Sequence, residues 1–247
     1  MNQRPIFCAG TTPAIHFARE FLSHHITVCE APCWDCGHLL LDIPTFRPGS
    51  IFNLDTLINS LPPDIVIWGG GLEHLCLNNR KAIDLLQNEA YLTANAEITA
   101  HCAIHIAEPM MTDGFQNCPV LITGWGRIGK FLAGLLRDLG ADVYVAARKQ
   151  TDREILIQMG YTSLDYSELA SILPNIRLIL NTVPELVLPD AVISHCHNCT
   201  KIDLASKKGI AGPDVIWARG LPGIHAPERS GILIGKTILH LMSEVTS

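Results

Sequence analysis

The sequence predicts an α/β fold with two Rossmann-like domains, each built on a doubly wound parallel sheet. Short apolar runs alternate with amphipathic stretches along the chain, which is the order of a parallel sheet covered by helices. A glycine-rich stretch, GWGRIG, follows one of these apolar runs and opens a helical pattern. The next apolar run ends in basic residues, AARK. We therefore expect the nucleotide-binding domain to be the C-terminal one.

The first domain is expected to span residues 1–94 in the order β-α-β-α-β. Strands are predicted at PIFCAG, ITVCE and DIVIWGGG, and helices at residues 13–24 and 53–61 lie between them. Thr12 and Pro13 are a typical start for the first of these helices. Residues 80–95 add a helix and a short strand, and an interdomain helix over residues 96–111 leads into the second domain.

The second domain is expected to span residues 95–247. A strand at VLIT, a helix after the glycines and a strand at residues 142–146 begin it. Helices near 151–159, 166–173 and 189–194 and strands at RLILN, KIDLAS and DVIWA follow. The closing helix, residues 227–242, is apolar around most of its circumference, which predicts burial against the first domain or a partner protomer.

Three glycines at G-x-G-x-x-G spacing predict a dinucleotide site. Gly124 allows the turn, Gly126 lets the backbone approach a pyrophosphate, and Gly129 permits close helix packing. A structural turn is the alternative, but strand, helix and second strand follow in the expected order. The predicted cofactor contacts are Gly124, Trp125, Gly126, Arg127, Ile128, Gly129, Arg148, Lys149, Asn181, Thr182, Val183, Asp203, Leu221 and Pro222.

The end of the second strand favours NADP over NAD. An NAD site usually places a carboxylate there for the ribose 2′-hydroxyl, whereas this chain has Arg148 and Lys149. A forked guanidinium suits a 2′-phosphate. A solvated strand end is the alternative reading of the same two residues.

Composition excludes several classes of protein. With 48% hydrophobic residues, 17% charged residues and a net charge of −6, the chain is typical of a globular enzyme and not of a nucleic-acid-binding protein. It has no membrane-length apolar run and no signal peptide at its start, so we expect a cytoplasmic protein. The nine cysteines agree with a reducing compartment. Two C-x-x-C pairs, CWDC and CHNC, lie far apart in sequence, and we expect no metal site.

Three further stretches, LNTVPE, IDLAS and RGLPGIHAPERSG, resemble the A-subunit family of dipicolinate synthases when they are taken with GWGRIG and NAEITA. The resemblance covers residues 95–241 and implies a two-domain fold similar to D-2-hydroxyacid dehydrogenases. It also implies NADP-linked oxidation of dihydrodipicolinate to pyridine-2,6-dicarboxylate during sporulation, in the mother-cell cytoplasm, with a flavoprotein-like B subunit. Another NADP-dependent dehydrogenase of a small carboxylic acid and a non-catalytic NADP-binding subunit of a partner enzyme are the alternatives.

The chain departs from this family where the substrate is expected. Lys207, Lys208 and Gly209 stand where the family usually has Pro-Gly-Gly, and His101 and Cys102 stand where it usually has Glu-Gly. These departures leave the cofactor motif intact and concern the identity of the substrate.

The candidate catalytic residues are His225, Thr99 and Lys207. His225 is the first choice for the group that takes a proton, with His101 as its rival and an ordinary surface histidine as the alternative. Lys207, Lys208 and Arg219 are candidates to hold a dicarboxylate substrate, or else form a solvated basic loop. Thr99 and Asn95 are candidates to bind a carboxylate or to cap a helix. A homo-oligomer is also expected, through the closing helix.

Overall fold

The computed structural model describes residues 4–45 and 53–245, which form two compact units. The first unit contains the described residues up to Asn95 and those from Pro222 onward, and the second is Ala96–Leu221. Each unit has one parallel sheet, so the predicted fold class is confirmed. Within the described residues, no helix combines the length and the apolar character that crossing a membrane requires.

The elements of the chain follow the alternating order that the sequence predicts. Up to residue 107 they are β1 (Ile6–Cys8), α1 (Pro13–Ser23), β2 (Val28–Cys29), β3 (His38–Leu40), α2 (Leu54–Ser60), β4 (Val66–Gly69), β5 (Ala82–Asp84) and α3 (Glu89–Ala107). The remainder are β6 (Pro119–Thr123), α4 (Arg127–Asp138), β7 (Asp142–Ala146), α5 (Gln150–Gln158), β8 (Thr162–Leu164), α6 (Leu169–Ile172), β9 (Leu178–Asn181), α7 (Asp190–Ile193), β10 (Thr200–Asp203), β11 (Val215–Trp217), α8 (Leu221–His225) and α9 (Pro227–Val245).

The sheet of the first unit has the strand order β2-β1-β3-β4-β5, and all of its pairs are parallel. Successive side chains of a strand point to opposite faces of the sheet, and both faces carry apolar residues. Helices therefore cover both faces. On one face, Ile6 and Trp68 pack with residues of α1 and α9, and on the other, Phe7 and Ile67 pack with residues of α2.

Helix α9 packs on α1 within the first unit, although the sequence analysis assigned the closing helix to the second domain. The contact is close because α9 has glycines on the face toward α1. A Cβ on Gly231 would lie 2.5 Å from the carbonyl oxygen of Ala14 and 2.7 Å from the backbone nitrogen of Ala18. A Cβ on Gly235 would collide with the ring of Phe21. The apolar surface of α9 is therefore used in the core of the first unit.

This packing predicts that Gly231→Ala destabilises the protein. The added methyl group meets backbone atoms of α1, so the two helices must separate, at a cost of about 1–3 kcal/mol. Gly134→Ala is the matched control, because Gly134 is also inside a helix but has open space at its Cβ position. We expect that variant to gain about 0.5–1 kcal/mol from its better helix propensity. Urea unfolding measures both, and a stabilising effect of Gly231→Ala would contradict the α1–α9 contact.

The sheet of the second unit has the strand order β11-β10-β9-β6-β7-β8, again fully parallel. Numbered within this unit, the order is that of the doubly wound dinucleotide-binding fold. The chain reverses its direction of winding between β6 and β9, which are neighbours in the sheet although β7 and β8 lie between them in sequence. This switch point is where such folds bind ligands.

Several elements differ from the sequence predictions. Strands β3 and β8 were not predicted, because each has only three residues and lies beside a loop. The predicted interdomain helix, residues 96–111, begins earlier in the structure, since α3 is Glu89–Ala107. Residues 80–95 contain a short strand, β5, followed by the start of α3, so the predicted helix-then-strand order there is wrong.

Candidate functional site

A cavity of about 380 Å³ lies at the carboxyl ends of β6, β7 and β9, at the switch point of the second unit. The segments that follow these three strands form its walls. They are residues 124–126, 147–149 and 182–185, and Asp152, Tyr166 and Val187 complete the lining. The structure thus brings together three of the segments that the sequence analysis selected.

The three motif glycines differ in what surrounds them. Gly124 has a φ of 100°, and a Cβ there would lie 2.5 Å from Oγ1 of Thr182 and 2.8 Å from Val183 Cγ2. A Cβ on Gly129 would collide with the carbonyl oxygen of Gly124, so the first turn of α4 packs directly on the end of β6. At Gly126, by contrast, a Cβ would have open space around it. This open backbone at the cavity wall fits the approach of a pyrophosphate.

The N-terminus of α4 faces the same turn and suits an anion. Gly126 is its N-cap and provides no side-chain acceptor, and the first turn carries no acidic residue. The backbone N–H groups of a first helical turn have no acceptor within the helix, and the helix dipole is positive there. Arg127 and Ile128 belong to this turn. Phosphate groups of a dinucleotide are anions of the kind that such a helix start binds.

Two aromatic residues border the cavity. Trp125 makes an edge contact with Tyr161, at 5.9 Å between ring centroids, and Lys130 Nζ lies 5.8 Å from the centre of the Trp125 ring. Burial raises the pKa of Tyr166, although the charge of Arg148 opposes the shift. Its phenol is therefore neutral at physiological pH and is available as a hydrogen-bond donor to a ligand.

Arg148 is exposed at the cavity edge, and a neighbouring arginine holds the backbone that presents it. The guanidinium of Arg153 donates to the carbonyl oxygens of Ala147 at 2.8 Å and Arg148 at 2.9 Å, and it pairs with Asp165 at 2.8 Å. The side chain of Arg148 itself forms only a loose ion pair with Glu185, at 3.7 Å between exposed groups. A surface pair of this kind is weak, so the guanidinium of Arg148 is available to a stronger anion.

Asp203 is fully buried at the end of β10. Its carboxylate accepts four hydrogen bonds of 2.7–3.1 Å, from the side-chain amide of Asn181 and from the backbone N–H groups of Ala205, Gly209 and Ile210. These bonds use the carboxylate within the protein and fix the course of residues 205–210. Asp203 is a positioning residue in this structure.

Asn181 connects the ends of three strands. Its side-chain oxygen accepts from Thr123 Oγ1 at 2.6 Å and from the backbone nitrogen of Val183 at 3.0 Å, and its amide donates to Asp203. Thr182 Oγ1 donates to the carbonyl oxygen of Thr123 at 2.8 Å. These bonds hold Thr182 and Val183 against the glycine turn, where both line the cavity. The polar atoms of Asn181 face the interior, so it also acts by positioning.

Two of the three predicted carboxylate-binding cations lie around one aromatic ring. Lys208 Nζ is 5.4 Å and Arg219 Cζ is 5.0 Å from the centre of the Trp217 ring, which is fixed by a hydrogen bond of 3.0 Å from its Nε1 to the carbonyl oxygen of Ala205. Both cations and the ring are exposed. The cluster belongs to the β10–β11 side of the sheet, whereas Arg148 belongs to the β7 side. Lys207 is exposed beside Lys208.

The remaining predicted residues lie elsewhere. Thr99 is buried in α3 of the second unit, and His225 is exposed at the end of α8 in the first unit. Leu221 and Pro222 are buried at the start of α8, where the chain passes from the second unit to the first. The roles assigned to these four residues stay predictions.

Sequence reasoning missed three residues of the site. Glu185, which pairs with Arg148, was read only as part of the NTVPE motif, and Trp217 was read only as part of a strand. A tryptophan two residues before an arginine at the end of an edge strand was the available signal. Tyr166 gave no signal, because it reaches the cavity from a 3₁₀ turn that follows β8.

The comparison with known proteins agrees with this geometry. No family model matches the chain. The A subunit of dipicolinate synthase from Bacillus subtilis (strain 168) is 28% identical over 203 residues, which cover 76% of this chain and 68% of that protein. A crystal structure of the A subunit of dipicolinate synthase from Bacillus halodurans has a TM-score of 0.85 at 23% identity and covers 97% of this chain and 98% of that chain. The resemblance to the A subunits of dipicolinate synthases is confirmed.

The same fold occurs in solved dehydrogenases. A solved L-alanine dehydrogenase has a TM-score of 0.67 at 10% identity, over 96% of this chain and 85% of that one. Identity at this level concerns the fold alone. The overall α/β fold is thus one that dehydrogenases share with the dipicolinate synthase A subunits.

Proposed function

We propose that the chain is an NADP-dependent oxidoreductase that oxidises dihydrodipicolinate to dipicolinate, as an A subunit of dipicolinate synthase. The observation that carries the proposal is the cavity at the switch point, where the glycine turn stands opposite Arg148 and Lys149. The resemblance to the A subunits of dipicolinate synthases supports the choice of substrate, and the dehydrogenase fold supports the type of reaction.

In this proposal the cofactor is held by groups at the carboxyl ends of the strands. The N-terminus of α4 and the open backbone at Gly126 bind the pyrophosphate. Arg148 binds the 2′-phosphate after it exchanges the weak partner Glu185 for a stronger anion, and Lys149 adds a second positive charge. Because Arg153 already fixes the backbone at Arg148, little ordering accompanies binding.

The substrate is held on the other side of the switch point. Lys208 and Arg219 lie on the β10–β11 side and provide two positive charges for the carboxylates of the substrate, with Lys207 nearby in sequence. NADP⁺, when bound, accepts the hydride that the substrate loses. His225 is our candidate for the group that takes up the accompanying proton, and Thr99 for a hydrogen bond to a carboxylate. Oxidation of a dihydropyridine forms an aromatic ring, so positioning of the two reactants supplies much of the catalysis.

The resemblance also suggests how the protein works in the cell. We propose that it acts with a B subunit, in the mother-cell cytoplasm of a sporulating bacterium, and that it forms a homo-oligomer. Because α9 packs on α1 within one chain, an oligomer must use another surface or the part of α9 that α1 leaves uncovered. A monomeric mass in light scattering at working concentration would remove the oligomer from the proposal.

Calorimetric titration of the purified chain tests the proposed function. We expect NADP⁺ to bind about 10–100 times more tightly than NAD⁺, because a charge-assisted contact to the 2′-phosphate contributes about 1.5–3 kcal/mol. Pyridine-2,6-dicarboxylate is expected to tighten NADP⁺ binding further, since the product and the cofactor occupy adjacent parts of one site. The same titration with benzoate, which has one carboxylate, is the control for non-specific coupling.

Each outcome decides a different part of the proposal. If neither nucleotide binds, the glycine turn is structural and the oxidoreductase proposal is wrong. If NADP⁺ binds but the dicarboxylate has no effect, the proposed substrate is wrong. If both bind and the chain still has no turnover with or without a B subunit, the chain is a non-catalytic NADP-binding subunit.

A further inference from the structure

Three cysteine thiols of the first unit lie in mutual contact. Cys29 is the last residue of β2, and Cys33 and Cys36 lie in the connection from β2 to β3. Their sulfur atoms are 3.6 Å apart for Cys29 and Cys33, 3.2 Å for Cys33 and Cys36, and 3.2 Å for Cys36 and Cys29. Among the described residues, this is the one group of three or more metal-ligating side chains whose ligand atoms lie this close together.

We propose that Cys29, Cys33 and Cys36 bind one zinc ion through their three sulfur atoms. Zinc binds thiolates at about 2.3 Å in tetrahedral geometry, which places the sulfurs about 3.8 Å apart. The observed triangle is close to that size and needs only a small expansion around an ion. In a [4Fe–4S] cluster each thiolate binds a different iron, so the cysteine sulfurs lie further apart than in this triangle, and a single ion fits better. The spacing, C-x₃-C-x₂-C, also lies in the usual range for zinc ligands.

The position of the cluster in the fold indicates what the ion does. Strands β2 and β3 lie on either side of β1, so their connection must cross this strand. Parallel crossovers usually take a dozen or more residues and contain a helix. Here residues 30–37 make the crossing without a helix. A crossover this short buries little apolar surface, and a metal ion that joins its two ends supplies the missing stabilisation.

The polypeptide around the thiols is held in place before any ion binds. Cys36 is fully buried in the core face that contains Phe7. Arg4 donates to the carbonyl oxygen of Cys36 at 2.9 Å, and the backbone nitrogen of Gly37 donates to the carbonyl oxygen of Pro5 at 2.9 Å. The ligands therefore need little reorganisation on binding.

The fourth coordination position is open to solvent. Among the described residues, no other Cys, His, Asp or Glu joins the three-sulfur group, and Cys33 is exposed next to Trp34, whose surface is 73% exposed. Water or a small exogenous ligand takes this position. Binding converts the three thiols to thiolates and releases their protons to solvent. The second C-x-x-C pair, Cys196 and Cys199, has no third ligand within the described residues and belongs to the other unit.

Metal analysis of the full chain tests the site. The chain is purified with reductant and without chelator, and zinc is measured by mass spectrometry. We expect one zinc ion per chain. X-ray absorption spectroscopy at the zinc edge is expected to show three sulfur atoms at about 2.3 Å from the zinc ion. Replacement by Co²⁺ is expected to give the thiolate charge-transfer band and the intense visible bands of tetrahedral cobalt. Removal of the ion with a chelator should lower the melting temperature.

Two variants locate the ion. Cys33→Ser removes the exposed ligand and leaves the core intact. We expect it to lower the affinity for zinc by about 100-fold or more, so that a chelator no longer lowers the melting temperature. Cys76→Ser is the matched control, because Cys76 is exposed in the same unit and outside the cluster. Circular dichroism checks that both variants fold. The proposal is wrong if the reduced chain binds no zinc, if Cys33→Ser binds it as tightly as Cys76→Ser does, or if Cys33 and Cys36 form a disulfide in the native protein. None of these results depends on the proposed oxidoreductase activity.

Discussion

Asp203→Asn is expected to destabilise the protein by about 2–5 kcal/mol, because it leaves two N–H donors around this fully buried side chain without an acceptor. All four groups that contact the carboxylate are N–H donors, and two of them approach each oxygen atom. An asparagine must place its own NH₂ group against two of these donors. The change conserves size and shape, so lost packing does not account for the effect. Urea unfolding followed by circular dichroism measures it.

Asp214→Asn is the control for this variant, because Asp214 is an exposed aspartate in the connection that leads from β10 to β11. A substitution there should change the free energy of unfolding by less than about 0.5 kcal/mol. If Asp203→Asn also falls in that range, the network does not hold residues 205–210 in solution. The positioning role assigned to Asp203 is then wrong.

The fold could be predicted from the sequence wherever an element was long or bounded by a clear signal. Helix α4 and strand β7 were predicted because the glycines mark the start of one and the other is a continuous apolar run. Strand β3 was missed because its three residues follow directly after Gly37 and were included in a loop. The closing helix was predicted correctly as a helix but was assigned to the wrong domain. Only the structure shows that the glycines of α9 face α1.

The location of the candidate site could be predicted from the sequence, but the directions in which its side chains point could not. Asn181 and Asp203 were identified correctly as strand-end residues, yet their polar atoms face the interior, and the sequence does not indicate which face a strand-end side chain takes. The cysteine cluster was missed for a related reason. Cys29 was read as part of a strand, so CWDC was judged as an isolated pair. The crossover from β2 to β3 brings the sulfur of Cys29 next to this pair, and the sequence does not show that.

Arg148→Asp is expected to lower NADP⁺ affinity by about 100-fold and to leave NAD⁺ affinity unchanged or improved. The substitution removes a guanidinium that suits the 2′-phosphate and places a carboxylate where NAD-binding proteins use one for the ribose 2′-hydroxyl. It also repels the phosphate, so its effect exceeds that of a neutral replacement. Calorimetry with both nucleotides gives the ratio of affinities. Arg177→Asp is the control, because Arg177 is exposed just before β9, at the amino end of that strand, whereas the cavity lies at the carboxyl ends of the strands.

Glu185→Gln provides a test of the opposite sign at the same place. Glu185 competes with the phosphate for Arg148 through an exposed pair of 3.7 Å, and a pair of this kind contributes about 0–1 kcal/mol. Its removal should therefore tighten NADP⁺ binding by up to about fivefold and have no effect in the Arg148→Asp background. Both variants change the net charge of the cavity, and a pure charge effect of Glu185→Gln would be the same in either background. Only a direct exchange of partners makes the effect of Glu185→Gln depend on Arg148. Equal effects of Glu185→Gln in both backgrounds would show that the 2′-phosphate responds to the overall charge of the cavity and not to a contact with Arg148.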